Sequence, residues 1–358
     1  ELNRIPNISK RYMKISIGTN IKDGPWGGGN LFAINLKNYL ENKGHEVVHS
    51  LKDNDIDIIL ITEPRKTSES SAFTHVEVLN YLSYVNTETL VVHRFNECDE
   101  RKNTNYVNKY LINANTVADH TIFVSEWLKD LFIDQGLNHI NTDVIYAGAD
   151  NQIFNRSNLE KWDSQSTLNI VTHHWGANWN KGFEYYLLLD EYIGKSWKGK
   201  IEFTYIGNVP QNIYFENSKV INPISGIELA NQIKKNHIYI TGSINEPSGN
   251  HHIEASQCGL PLMYINSGGI PEYCNGYGVM YNDSKDFEEK LVEIIENYDF
   301  YYKKMETYPF DSEIMSKNYL DLFESMIQTK DKYIEERRYK TKNSYIESKI
   351  FEFKRKKS

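Results

Sequence analysis

Short apolar runs recur along this chain, separated by polar or glycine-rich turns from stretches whose apolar positions follow a helical period. β-Branched and aromatic residues concentrate in MKISIG (13–18), IDIILI (56–61), TLVVHRF (89–95), HTIFVS (120–125) and TDVIYAG (142–148), which predicts strands. TLNIVTHHW (167–175), IEFTYIG (201–207), HIYITG (237–242) and PLMYI (261–265) predict more. Between them, LFAINLKNYLENKGH (31–45), KGFEYYLLLDEYIGK (181–195) and HHIEASQCG (251–259) have helical spacing. For the last of these, Ser248 or Asn250 is the candidate N-cap and Gly259 the stop. Steady alternation of strand and helix predicts α/β layers. A polar stretch near Asp150 to Asp163 divides the pattern into two doubly wound halves.

In open sheets of this kind, ligands bind at the carboxyl ends of strands, and the unusual residues gather there. Glu246 falls on the turn after HIYITG, and Glu254 falls eight positions later, inside the next helix. After PLMYI, NSGGIPEY reads as a glycine-rich turn opening another helix, so the N–H groups of Ser267, Gly268 and Gly269 are expected to face an anion. Glycine lets that anion approach closely. Carboxylates suit ribose or sugar hydroxyls, which donate, and not phosphate oxygens, which only accept. In the first half, DGPWGGGN (23–30) sits between strand and helix, but a dinucleotide fingerprint beginning at Gly27 would need glycine or alanine where Phe32 stands.

The E-x7-E spacing of Glu246 and Glu254, with Pro-Ser-Gly, Cys-Gly-x-Pro and Gly-Gly-x-Pro-Glu elements in register, resembles the retaining glycosyltransferases of GT-B fold, family 4. The resemblance implies two Rossmann-like domains facing a central cleft. Residues 13–160 would form the acceptor-side domain and 161–308 the nucleotide-sugar domain. Residues 309–330 would cross back to the first domain as helices, around Ser312 to Met326, and 331–358 would be a basic tail.

It also implies roles. Glu254 would bind the donor ribose, Glu246 would approach the donor sugar ring, and Gly268 and Gly269 would hold the diphosphate. Lys181, at the Lys-Gly opening of a helix, matches the family's diphosphate lysine, and a point charge suits that task. The family's arginine on the preceding strand is absent. His173, His174 and Trp175 stand there, with Asn178 or a histidine as the substitute donor. His93, ending a buried strand, would contact the donor sugar, the alternative being a satisfied core histidine. Gly28 and Gly29 would face the donor phosphates, Gly249 and Asn250 would join the donor side, and Ile224 would lie near the base. Arg94, Asn96, Asp99 and Arg101 would shape the acceptor side.

The implied reaction is transfer from a nucleoside-diphosphate sugar, a UDP- or GDP-sugar first, to a glycan, lipid-linked or protein-linked hydroxyl, with configuration kept and the leaving phosphate taking the acceptor's proton. No metal and no further cofactor are implied. Two other readings stay open: a nucleotide-sugar epimerase of the same fold, and a non-catalytic nucleotide-sugar-binding protein. A hydrolase using the two glutamates would need a set separation across one glycosidic bond, which sequence does not establish.

Composition narrows the setting. The chain has 358 residues, 40% of them hydrophobic, enough for two domains with packed cores. Cys98, Cys258 and Cys274 show neither metal spacing nor an even disulfide framework, which points to a reducing, cytoplasmic compartment. Met13 is a candidate natural start. Asp53, Asp55 and Asp57 imitate a metal-binding D-x-D but precede a strand and read as its solvated start. Net charge is -8, yet residues 330–358 carry eleven Lys or Arg against five Asp or Glu, a local +6 that leaves -14 elsewhere. That tail is either a solvated end or a peripheral contact with an anionic membrane surface. Nothing in the pattern points to nucleic acid.

Overall fold

The computed structural model describes residues 12–22, 27–138, 141–337, 346, 349–350 and 353–354. Two six-stranded sheets form, with every strand pair parallel. The first contains β1 (Lys14–Ile17), β2 (Glu46–Val48), β3 (Ile58–Ile61), β4 (Leu90–Phe95), β5 (His120–Phe123) and β6 (Thr142–Val144) in the order β2-β1-β3-β4-β5-β6. The second contains β7 (Leu168–His174), β8 (Ile201–Gly207), β9 (Lys219–Ile221), β10 (Ile238–Thr241), β11 (Leu262–Ile265) and β12 (Gly278–Tyr281) in the order β12-β11-β10-β7-β8-β9. Every residue of β3, β4, β10 and β11 is buried, which is why these strands read as mainly apolar runs rather than alternating ones, with His93 and Arg94 of β4 and Thr241 of β10 as the polar exceptions.

Strand order reverses beside β1 in the first sheet and between β7 and β10 in the second. Such switch points open a crevice at the strands' carboxyl ends, and the loops after β1, β4, β7 and β10 meet there. The helix Ser312–Gln328 returns to the first domain, burying Met315, Tyr319, Phe323 and Met326 in the core formed by Ile15, Leu36 and Leu60. Its start is tied to the chain crossing between the domains, since Ser312 N–H donates to Ala149 O at 2.8 Å. Past it, Arg337 Nε lies 2.9 Å from Asp119 Oδ1, both buried, so the chain up to Arg337 is docked on the first domain. Most of the basic tail lies outside the described residues. No described helix is long and apolar enough to cross a membrane.

Local details differ from the sequence expectation. Gly28 and Gly29 belong to the helix Gly28–Asn42 rather than to a loop before it. The helix Asn250–Gln257 has Gly249 as its N-cap, not Ser248 or Asn250. The strand expected from residue 56 begins at Ile58, and the one expected over 142–148 ends at Val144. Strands β2, β9 and β12 were not foreseen. The aspartates before β3 surround Lys14, whose Nζ lies 3.3 Å from Asp53 and 2.9 Å from Asp55, while its N–H donates to Asp57 at 2.9 Å.

Candidate active site

The crevice between the domains encloses about 320 Å³. Its second-domain wall is built where β7 and β10 end. Lys181 and Glu246 are buried together, Nζ to Oε2 at 2.7 Å, and Arg101 Nε from the first domain lies 2.9 Å from the other oxygen, Oε1. Burial would raise the Glu246 carboxyl, but the charges of Arg101 and then Lys181 outweigh it and hold the group well below the usual carboxylate range. Burial lowers the Lys181 ammonium, against the opposing pull of Glu246.

Glu254 faces the same space from the helix Asn250–Gln257, with His173 Nε2 at 2.8 Å. Around these carboxylates His173, His174, His251 and His252 pack ring to ring, the His174 and His251 centroids 4.5 Å apart. His174 Nε2 meets Tyr186 OH at 2.6 Å, and His251 Nε2 meets Thr241 Oγ1 at 2.8 Å. Burial holds His174 and His251 well below the ordinary imidazole value and His252 down to about 3, so these three rings are neutral near pH 7. Gly249 permits the packing. Its φ is +76°, and a Cβ there would fall 2.7 Å from the His252 ring.

Two helix amino ends point into the crevice. Gly28 and Gly29 open the helix Gly28–Asn42, and Asn250 and His251 open the helix Asn250–Gln257, all four lining the space. Neither helix has a side-chain cap or an acidic residue in its first turn, so their first N–H groups and dipoles are directed at whatever the crevice holds. Arg94 completes this side, its guanidinium 3.9 Å above the Phe32 ring and its buried Nε without a hydrogen bond. Among the described residues no three His, Cys, Asp or Glu side chains converge as a metal cluster.

Of the residues singled out in the sequence, Glu246, Glu254, Lys181, Asn178, Ile224, Gly28, Gly29, Gly249, Asn250, Arg94 and Asn96 line the crevice. His93 does not. It is fully buried, within 3.2 Å of Asn115 Nδ2 and packed on Phe95, because adjacent positions of β4 face opposite ways and Arg94 takes the crevice side. Asp99 also stays outside, accepting the N–H groups of Tyr106, Val107 and Asn108 at 2.9 to 3.0 Å, which makes it the cap of the helix Val107–Ala114.

The turn at Ser267, Gly268 and Gly269 does not line the crevice either. Its Ser267 N–H donates to Ile265 O at 3.0 Å and its Gly269 N–H to Glu246 O at 2.9 Å. The turn thereby braces the Glu246 loop. Trp175 lines the crevice and stands half exposed. Ser248 and His251, lining residues not singled out for the site, adjoin Gly249 and Asn250, and their position in the same turn was the available signal.

No family model and no curated protein matches the sequence. Solved structures do match its fold. A glycosyltransferase from Rickettsia africae superposes with a TM-score of 0.64 at 14% identity, over 89% of this chain and 100% of that one. HepE of Anabaena, in complex with UDP-glucose, gives 0.63 at 14% identity over 88% and 100%. The lipopolysaccharide outer core galactosyltransferase WaaB, in its apo form, gives 0.62 at 14% identity over 87% and 99%. The chain has the GT-B fold of such glycosyltransferases.

Proposed function

We propose that this protein is a retaining glycosyltransferase that moves a sugar from a nucleoside-diphosphate sugar to a hydroxyl acceptor. The observation that carries the reading is the convergence of Lys181, Glu246, Glu254 and two uncapped helix amino ends on one crevice. The cation and the helix ends suit a diphosphate, and the carboxylates suit hydroxyls of the sugar and ribose. HepE binds UDP-glucose, which favours a UDP-sugar as donor.

In the proposed reaction the bond from C1 to the β-phosphate oxygen breaks with its electron pair left on phosphate. The acceptor oxygen bonds C1 from the same face, and its proton passes to a phosphate oxygen. Lys181 and the preorganised N–H groups stabilise the departing charge. Glu254, oriented by His173, accepts a ribose hydroxyl, and Glu246 accepts a hydroxyl of the donor sugar. Arg94 and Asn96 lie on the acceptor side.

A thermal-shift screen against nucleotide sugars, with and without EDTA, tests the donor site, since a ligand of the folded state raises Tm. A selective shift that survives EDTA and weakens about tenfold in apparent affinity in Glu254→Ala, as roughly 1.4 kcal/mol of lost hydrogen bonding implies, is the expected result. No shift with any nucleotide sugar would sink the reading.

A further inference from the structure

The two domains are joined over Glu246 by a short first-domain helix, Asp99–Lys102. Asn180 Nδ2 donates to Arg101 O at 3.1 Å, and Asn245 Nδ2 donates to Glu100 O at 3.3 Å. Asn180 immediately precedes Lys181, and Asn245 immediately precedes Glu246. Each second-domain loop therefore uses one residue to grip the backbone of this helix and the next to build the charge cluster beneath it. Asn245 adopts φ +52°, a left-handed conformation that asparagine tolerates, while its N–H is held by Ser267 Oγ at 2.9 Å.

The first domain fixes the other end of the same device. Glu97 holds Arg101 Nη1 at 3.1 Å and Lys102 Nζ at 2.6 Å, and the Asp99 carboxylate ties the loop that follows to the helix Val107–Ala114. Arg101 is thus aimed at the crevice before any ligand arrives. Its Nε lies 2.9 Å from Glu246 Oε1 but directs no hydrogen bond there, so the contact is a charge contact that leaves the donor unspent. Glu246 in turn has two cations, one from each domain. With Lys181 alone, turning the cation to a phosphate would strip a buried carboxylate of its partner. With two, either can reorient while the other keeps Glu246 paired.

We infer that Arg101 is the second cation on the leaving diphosphate, and that docking of its helix onto Asn180 and Asn245 assembles the leaving-group site only when the domains meet. The inference rests on the donor reading above. The guanidinium's planar fork suits two phosphate oxygens at once, which an ammonium does not.

The test uses the whole chain and inorganic pyrophosphate, a diphosphate that needs no base. Calorimetric titration of wild type, Arg101→Gln and Arg101→Lys should give pyrophosphate affinity at least tenfold weaker in Gln, with Lys between. Once a donor is identified, Arg101→Gln should lower kcat about a hundredfold and raise KM less than tenfold. A merely structural arginine would not produce that split or the rescue by lysine. The Asn180→Ala/Asn245→Ala protein keeps every charge, and it should also lose pyrophosphate affinity, by less than Arg101→Gln does. Wild-type affinity and kcat in Arg101→Gln would overturn the assignment while leaving a glycosyltransferase with a nucleotide-sugar shift intact. Wild-type behaviour of the double asparagine variant would overturn the coupling to docking. Absence of both nucleotide-sugar and pyrophosphate binding in the wild type would overturn this inference and the donor reading together.

Discussion

On the second-domain wall of the crevice, His173, His174, His251, Glu246 and Glu254 all have polar partners within 2.6 to 2.9 Å. On the first-domain wall, Arg94 and Arg101 each bury an Nε with no hydrogen bond. His252 Nε2 is the exception on the second wall. A buried N–H that makes no hydrogen bond is costly, whereas a network with its hydrogen bonds made is rigid. The contrast divides the labour of one site. The second domain supplies a cradle whose hydrogen bonds are already made, and the first adds the guanidinium groups of Arg94 and Arg101, each with an Nε left to donate, Arg101 being already ion-paired with Glu97 and Glu246.

The largest effect is expected where the two walls meet. Lys181→Met removes the buried cation of the preformed wall and leaves Glu246 paired with Arg101. Turnover should fall by about two to three orders of magnitude, the usual loss when one preorganised donor to a developing anion is removed. Affinity for the intact donor should fall by less than tenfold. Steady-state kinetics alongside equilibrium titration measures both. Equal losses in kcat and affinity would mean that Lys181 only anchors the ground state, and the preformed wall would then lose its catalytic meaning.

A smaller effect separates the walls by pH. His174 and His251 are pushed well below the ordinary imidazole value and His252 to about 3, in each case first by burial. The unfolded chain takes up these protons below about pH 6.5 and the folded chain does not. The stability associated with neutral rings is therefore complete above that pH and declines as pH falls from about 6.5 toward 3. Each ring contributes a slope approaching roughly 1.4 kcal/mol per pH unit. His75 in the first domain is lowered to about 4 and His237 is also lowered, so the wild-type slope is not the cluster's alone. His251→Gln, which keeps a polar group within reach of Thr241, isolates it. Chemical denaturation at pH 7 and pH 5 should show the variant losing about 1.4 to 2 kcal/mol less than wild type. An unchanged slope would mean that the ring is charged in the fold and that the wall is not a neutral cradle.

What the sequence made legible follows the same division. The carboxylates, the lysine and the turn at Gly249 are local features, fixed by a strand end and the helix that follows, and spacing alone brings them to one edge. The contact of Arg101 with Glu246 depends on how two domains dock, and no local pattern encodes it. At His93 and Arg94 the strand period guarantees that only one faces the crevice, but the choice is made by Phe32 and Tyr319 on one side and Asn115 on the other. Strand recognition has a similar limit. Strands β2 and β9 are three-residue edge strands with few buried positions, so they lack the apolar run that marks the central ones.

The smallest effect lies behind the crevice, where the Gly-Gly-x-Pro-Glu turn joins the domains. Glu272 of the second domain accepts the N–H groups of Glu126 and Trp127, each at 2.8 Å, at the amino end of the first-domain helix Glu126–Asp134, and Tyr146 OH reaches it at 3.0 Å. Gly269 fits because it lacks a side chain, since a Cβ there would fall 2.8 Å from Ser125 Oγ. This is a charged cap delivered by another domain, and such a cap is worth about 0.3 to 2 kcal/mol. Glu272→Gln keeps the shape and one acceptor oxygen while removing the charge. Calorimetry should show Tm lowered by about 1 to 3 °C, with kcat within twofold of wild type, because Glu272 does not line the crevice. If kcat instead fell tenfold or more with Tm unchanged, this contact would be setting the angle at which Arg94 and Arg101 meet the opposite wall. The division between a fixed cradle and a supplied charge would then extend through the joint that aligns them.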